Sequence, residues 1–194
     1  MFRRSLASWL VIAACGCGHA AAARGGDVTD MPGPVDQTRD AVSLDPFRAV
    51  VRAKVLHSFE RLSAGDPSAA LALMRDDVQY TFEGQHALGG TRVSRAGVER
   101  WFGRLLRLLP GRFTIRSVEV VGWPWRSTVY TVFEDEVRPA VGEPYRNRGV
   151  QVVDLEWTQA VRVHTYVDTA KVTRALDALA EAGVGEAHAP PIEE

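Results

Sequence analysis

The first part of the chain repeats apolar residues at the spacing of an α-helix, at Phe47, Val51, Val55, Phe59 and Leu62. Asp45-Pro46 is a typical helix start, because an N-cap residue precedes a proline, and Gly65 is a typical helix end. The same start signal recurs at Asp66-Pro67 and predicts a short second helix over residues 69–74. A broad apolar face predicts a third helix over residues 94–109.

Most of the remaining chain alternates apolar and polar residues with the period of a β-strand. Strands are predicted over residues 78–82, 113–121, 128–137, 149–157 and 160–167. A final helix is predicted over residues 169–182, and residues 84–92 are predicted to form a loop. The last four strands follow one another with short turns, which is typical of an antiparallel sheet.

This order of elements predicts an α+β fold, with helices gathered on one face of a curved antiparallel β-sheet. Helices that cross the concave side of such a sheet leave a cone-shaped cavity, which side chains can fill or which can stay open as a ligand pocket. The chain has 194 residues, of which 46% are hydrophobic, and this is enough for one domain over residues 45–182. Its formal net charge of −1 gives no basic excess that would indicate nucleic-acid binding.

The segments on either side of this domain lack a pattern of apolar residues. Residues 24–44 are rich in Gly, Pro and Asp, which predicts a flexible linker. Residues 183–194, which include Pro190-Pro191, are predicted to be a disordered tail.

The N-terminus is typical of an export signal. Arg3-Arg4 precede an apolar stretch over residues 5–14 that is too short to span a membrane, so residues 1–23 are interpreted as a signal peptide. Ile12-Ala13-Ala14-Cys15 resembles a bacterial lipobox, in which the cysteine is acylated and becomes the new N-terminus. The alternative is cleavage in the alanine run over residues 20–23. The protein is therefore expected to be exported, either as a lipoprotein of the cell envelope or as a secreted protein.

Cysteine usage adds little chemistry. Cys15 and Cys17 both lie in the leader, so the domain needs no disulfide, and no Cys/His spacing indicates a metal site. We expect neither a metal nor a cofactor, and contact with a membrane only through a lipid anchor.

One segment near the end, residues 162–172, reads as a strand that runs directly into a helix. Strand alternation puts His164, Tyr166 and Asp168 on one face, so that face ends in an imidazole, a phenol and a carboxylate. These groups are candidates for acid–base chemistry on a small molecule. In the alternative interpretation Asp168 only caps the final helix, and His164 is a hydrogen-bonded residue at the edge of the sheet.

Several aromatic residues lie on or beside the predicted strands. Tyr80, Tyr130 and Trp157 are candidates for lining an apolar ligand pocket, and the alternative is that they are ordinary core residues.

Four stretches of the sequence resemble a known group of proteins. They are GDPSAALALMRDDVQYTF, SRAGVERWFGRLLRLLP, TVYTVFEDEV and VQVVDLEWTQAVRVHTYVDTAKVTRALDAL. The pattern resembles the nuclear transport factor 2-like superfamily, and within it the SnoaL-like group of polyketide cyclases and steroid isomerases, over about residues 45–182. This resemblance implies a cystatin-like α+β barrel with a conical cavity, and a homodimer formed through the open face of the sheet.

The resemblance also bears on individual residues. In the epoxide hydrolases of this superfamily, an acid at the end of the last strand works with an Arg and a second Asp on the neighbouring strand. Asp168 matches the first acid, and Asp135 stands where the second would be. Phe133 occupies the position of the Arg, and this departure argues against epoxide hydrolysis.

No complete catalytic set is visible in the sequence. We therefore expect a non-catalytic module that binds a small apolar ligand or another protein. The alternative is an isomerase, cyclase or hydrolase of small molecules, with Asp168 as general base and His164 or Tyr166 as its partner.

Overall fold

The computed structural model describes residues 46–193. The signal peptide, the lipobox at Cys15 and the linker over residues 24–44 lie outside these residues, and they remain predictions. Within the described residues, no helix is both long enough and apolar enough to cross a membrane.

Helices and strands follow the predicted order with small shifts at their ends. In chain order they are α1 (Pro46–Ser63), α2 (Ser68–Leu71), β1 (Met74–Phe82), β2 (Gly90–Arg92), α3 (Arg95–Leu108), β3 (Gly111–Trp123), β4 (Arg126–Val137), β5 (Tyr145–Glu156), β6 (Gln159–Val167) and α4 (Thr169–Glu181). Three differences are larger than a frayed end. The first strand starts at Met74, within the predicted second helix, and the predicted loop contains the short strand β2. Strand β5 starts at Tyr145, four residues before the predicted start.

The six strands form one sheet in the order β2-β1-β6-β5-β4-β3. Four of the five strand pairs are antiparallel, and the pair β1–β6 is parallel. The sheet is therefore mixed, which corrects the expectation of a wholly antiparallel sheet. No hairpin turn joins β1 to β6, so no local connection forces these two strands to run in opposite directions. The α+β class is confirmed.

The sheet has an inner face, which the helices cover, and an outer face. Residues of the inner face are buried, as at Val129, Phe133 and Val163, and they pack with apolar residues of α1 and α3. The outer face keeps Tyr130 and Val132 partly exposed. This division follows from the alternation of side chains along each strand, and it decides which residues can reach the interior.

Residues 183–193 pack against the domain, whereas the sequence predicted a disordered tail over residues 183–194. It forms a 3₁₀ helix over Gly185–His188, in which Ala187 is fully buried. Arg107 pairs with Glu186, and Nη1 of Arg104 donates a hydrogen bond to the carbonyl of Pro190 at 2.8 Å. Both arginines lie on the polar face of α3. A polar helix face is usually exposed to solvent, but this one contacts the tail.

Candidate active site

A cavity of about 90 Å³ lies between the inner face of the sheet and the helices. Its wall is mostly apolar and aromatic. Phe59 of α1, Phe113 of β3 and Phe133 of β4 pack against one another on one side, with ring centroids 5.5–5.7 Å apart. This space is enough for several water molecules, and its wall is of the apolar kind that lines small-molecule sites.

A first group of polar residues enters the cavity from β4 and β5. Asp135 shares the inward parity of Val129 and Phe133 on β4, so alternation carries its carboxyl group to the inner face. Asn147 is the cross-strand neighbour of Asp135, and Tyr145 is the neighbour of Val137 one step along. Both residues of β5 also line the cavity, so they flank the carboxyl group.

The carboxyl group of Asp135 is half-buried, and one of its oxygen atoms is buried without a partner. This atom, Oδ1, makes no hydrogen bond with any described residue. Burial raises the pKa of Asp135 to about 6, because the charged form loses its water, although a backbone hydrogen bond and the charge of Lys171 act in the opposite direction. A carboxylate with a pKa in this range is suited to accept a proton near neutral pH.

Tyr145 complements this acid. Burial and the neighbouring charge of Asp135 both raise the pKa of the Tyr145 phenol, so its hydroxyl stays protonated. Asn147 has a different part. Its Oδ1 accepts from the backbone N–H groups of Arg148 and Asp168, at 2.8 and 3.1 Å, and so fixes the start of α4 against β5. A proton donor and a rigid wall thus lie on either side of the carboxyl group.

A second polar group lies on β1, β5 and β6. The Tyr80 hydroxyl is 3.4 Å from Oγ1 of Thr165, which also accepts a hydrogen bond from Nε2 of Gln151 at 3.2 Å. All three residues line the cavity. Burial raises the pKa of Tyr80 to about 12, so this hydroxyl also stays protonated. The group offers oriented hydroxyl and amide dipoles to a polar atom of a ligand.

Arg92 lies behind Tyr80 and is fully buried. Its guanidinium group donates to the carbonyls of Gly90 and Leu88, at 2.8 and 3.1 Å, and lies over the ring of Trp101 at 5.3 Å. Burial lowers the pKa of Arg92 to about 10, so the group remains charged. Its positive charge opposes the effect of burial on the Tyr80 phenol.

The structure places the three predicted acid–base residues outside the cavity. His164 and Tyr166 lie on the outer face of β6, since Val163, Thr165 and Val167 point inward. The His164 and Tyr166 rings stack with centroids 4.1 Å apart. Nε2–H of His164 donates to Oε1 of Glu83 at 2.5 Å, which leaves Nδ1 to accept from the Tyr166 hydroxyl at 3.1 Å.

Asp168 is the N-cap of α4, as the alternative interpretation expected. Its carboxylate accepts a hydrogen bond from the backbone N–H of Lys171 at 3.3 Å, and 46% of the side chain is exposed. The side chain is directed to the helix end and does not line the cavity. His164 and Tyr166 are brought together, but Asp168 does not join them in a site.

The three predicted ligand residues are also separated. Tyr80 lines the cavity. Tyr130 lies on the outer face, and Trp157 lies in the turn between β5 and β6, so neither lines the cavity. Among residues 46–193, no group of three or more His, Cys, Asp or Glu residues is placed to hold a metal ion.

Sequence reasoning missed Tyr145, Asn147 and Gln151, and it considered Asp135 only through the resemblance. A signal was available for Asp135, because Val129, Phe133 and Val137 share its parity on β4. An acid that shares the buried parity of an amphipathic strand is a candidate for the interior. No comparable signal marks Tyr145, which starts its strand beside Pro144.

Comparisons with known proteins agree with this fold. The SnoaL-like domain family matches residues 55–163. A nuclear transport factor 2-like protein of unknown function from Burkholderia pseudomallei is 21% identical, with a TM-score of 0.58 over 64% of this chain and 95% of that chain. TerC, which was co-crystallised with polyporic acid, is 21% identical, with a TM-score of 0.54 over 66% of this chain and 98% of that chain.

A candidate polyketide cyclase from Xanthomonas campestris is similar as well, at 20% identity and a TM-score of 0.50 over 64% of this chain and 95% of that chain. Among curated proteins, none matches the sequence significantly. These solved structures are distant in sequence and show the fold alone. Because the family match spans more than half of its residues, the chain belongs to the SnoaL-like domain family.

Proposed function

We propose that this protein binds a small, largely apolar molecule in the cavity, and that Asp135 moves a proton on that molecule. The observation that carries the proposal is Oδ1 of Asp135, which is buried at an apolar wall without a protein partner. A buried carboxyl oxygen without a hydrogen bond is costly for stability, and such a cost is typical of a functional site.

The chemistry that fits this arrangement is proton transfer next to a carbonyl group. The Asp135 carboxylate takes a proton from an acidic carbon, and the electron pair of that C–H bond moves towards the carbonyl oxygen. The Tyr145 hydroxyl is a hydrogen-bond donor for the resulting oxyanion. Return of the same proton to another carbon gives an isomerisation, and attack of the carbanion on a second carbonyl within the molecule gives a cyclisation.

Two of the similar structures support the kind of ligand. TerC was crystallised with polyporic acid, and the protein from Xanthomonas campestris is described as a candidate polyketide cyclase. Here, the apolar wall with Asp135 at one side and Tyr80 at another suits a compact molecule with rings and one or two oxygen atoms. We extend these ligands to the present chain only as a chemical class.

A second candidate function is binding without turnover. The observation in its favour is that His164 and Asp168, which the sequence offered as partners for catalysis, both lie outside the cavity. In that case the Asp135 carboxyl group would accept a hydrogen bond from a ligand hydroxyl, and Tyr145 would orient the ligand.

Hydrogen exchange in D₂O separates the two functions. Cyclic and aromatic ketones are first screened by the shift they cause in the melting temperature, and those that bind are then followed for deuterium uptake next to the carbonyl group. We expect Asp135→Asn to keep binding but to slow the exchange by about a hundredfold or more, since general acid–base catalysis supplies about that much. Asp168→Asn is the matched control, and it should exchange at the rate of the wild type.

Exchange at an unchanged rate in Asp135→Asn would overturn the catalytic proposal. Binding of the ketones without any exchange in the wild type would favour the second candidate. Absence of binding for the whole class would contradict both.

A further inference from the structure

Two neighbouring turns at one end of the sheet carry three exposed tryptophans. Trp123 ends β3 and Trp125 lies in the two-residue turn before β4, and their rings stack with centroids 5.6 Å apart at an interplanar angle of 4°. Trp157 lies in the turn between β5 and β6, and its backbone N–H donates to the carbonyl of Trp125 at 3.4 Å. We call Trp123, Trp125 and Trp157 the tryptophan tips.

Packing does not explain these side chains. Their exposed fractions are 66%, 54% and 72%, whereas Trp101 in the core is 1% exposed. Indole rings in contact with water forgo the stabilisation that burial of so much apolar surface would give.

The backbone conformation at Trp157 also indicates that packing does not explain the exposed indole. Trp157 and Thr158 have φ angles of +49° and +70°, in the region that turns of this type fill with Asn, Asp or Gly. A tryptophan and a β-branched residue are both unfavourable there. The turn thus accepts strain to hold an exposed indole, and strain of this kind is typical of residues kept for function.

Helix α1 begins at the end of the domain that carries the tryptophan tips. Val50 and Lys54, in the first half of α1, line a small apolar cavity together with Thr158 of the second turn. At the other end of α1, Oγ of Ser63 accepts a hydrogen bond from the N–H of Phe113 at 2.9 Å, near the start of β3 and so far from Trp123. Pro46, the first residue that the structure describes, therefore lies at the same end of the domain as the tips.

We propose that the tryptophan tips dock the domain on a lipid–water interface. Tryptophan favours this interface, because its ring is apolar and its indole N–H is polar. A domain whose first helix begins beside exposed indoles can be held at a membrane by the indoles and the predicted lipid anchor together, and a stable anchor generally needs two such signals. The exposed Arg126 beside the first turn suits phosphate headgroups.

Two other occupants fit less well. A sugar ring would stack on an open indole face, but Trp123 and Trp125 cover one face of each other. A second copy of this chain would need a contact of about 800 Å² on each partner, which two projecting turns do not offer.

Quenching by brominated lipids tests the proposal on the full chain. The chain carries Cys15→Ser, so that it has no acyl group, and Trp9→Phe, so that the tips and Trp101 are its indole reporters. It is mixed with vesicles of equal parts phosphatidylcholine and phosphatidylglycerol, brominated on the acyl chains near the headgroups. We expect the emission of the tips to shift to the blue and to be quenched.

A variant with all three tips replaced by Ser should keep only the unquenched emission of Trp101. Tyr130→Ser with Tyr166→Ser is the matched control, because it removes exposed aromatic rings from the outer face of the sheet and should leave the quenching intact. Trp157→Asn guards against misfolding. Asn suits the positive φ angle, so this variant should melt higher than its parent and yet bind vesicles roughly tenfold more weakly.

Absence of quenching in the parent chain overturns the proposal. Quenching relieved by soluble oligosaccharides but never caused by lipids would assign the tips to a glycan. Loss of a dimer in the triple variant, with no effect of lipids on its parent, would assign them to a second copy of the chain.

Discussion

Environment, not residue type, separates the two aspartates that matter most at the residue scale. Asp168 caps a helix at the surface, where a backbone N–H stabilises its charge. Asp135 lies in the cavity, where the loss of water raises its pKa to about 6. The same carboxyl group is thus a structural cap at one position and a candidate base at the other.

The raised pKa of Asp135 predicts how stability depends on pH. Its pKa in the unfolded chain is about 3.9, so between about pH 4 and 6 the folded state holds more protons than the unfolded state. This group therefore lowers the stability of the fold as the pH rises through that range. We expect Asp135→Asn to be more stable than the wild type at pH 8, by about 1–3 kcal/mol, and close to the wild type at pH 4.

Urea unfolding of both proteins at these two pH values measures the difference. The comparison removes contributions from other titrating groups, which both proteins share. Asp168→Asn serves as the control, since Asn caps a helix nearly as well as Asp and should show no gain at pH 8. An equal stability of wild type and Asp135→Asn at pH 8 would mean that the carboxyl group is not desolvated.

The rate of the proposed exchange should rise with pH, whereas the stability falls. Asp135 acts as a base only when it is ionised, so the exchange rate at low substrate concentration should rise through about pH 6 and then level off. A pH above about 6 thus raises the exchange rate and lowers the stability of the fold.

At the scale of elements, strand β6 shows which properties of a strand the sequence predicts. Its extent was predicted within a residue or two, and so was the helix that follows it. Its orientation was misjudged, although Val161, Val163 and Val167 alternate with His164 and Tyr166. That alternation already favours the valines for the core, so the polar residues belong outside. The cavity residues of β5 needed the fold itself, because they are defined only by the register with β4.

The tail is a second segment whose structure depends on tertiary contacts and cannot be predicted from its own sequence. Its composition is that of a disordered segment, but Ala187 fills a cluster formed by Leu88, Leu108, Leu176 and Leu179. Small side chains carry little apolar signal in a sequence, and the arginines that hold the tail come from α3.

Substitution of Ala187 tests this packing. We expect Ala187→Asp to destabilise the fold by about 3 kcal/mol or more, because it buries a charge without a partner. Ala189→Asp adds the same charge two residues away, where the side chain is only partly buried, and should cost much less. Both are compared with the wild type in thermal melts. Equal melting temperatures of the two variants would mean that the tail is not packed as described.

At the scale of the whole molecule, the outer face of the sheet offers a surface for self-association. Val132, Val150 and Tyr166 are direct neighbours on β4, β5 and β6, and they form one apolar row. Tyr130, Val152 and His164 form the next row. Their partial exposure leaves a surface of the kind that a second copy covers in symmetric dimers.

We expect a dimer in sedimentation at micromolar concentration, and we expect Val150→Arg to convert it to a monomer, because two arginines would meet at the centre of the interface. Replacement of the tryptophan tips should leave the dimer intact, which makes it the matched control. A wild-type monomer at this concentration would contradict the prediction.

The parallel pairing of β1 with β6 also affects when the protein can fold. Tyr80 and Val163 face each other across this pair, although they are roughly eighty residues apart in the sequence. Such a distant contact has a high entropic cost and forms slowly, and no shorter piece of the chain can make it. β1 therefore cannot pair with β6, its neighbour towards the middle of the sheet, until β6 has been synthesised. We expect a chain that is exported through the predicted leader to close this sheet only after β6 has crossed the membrane.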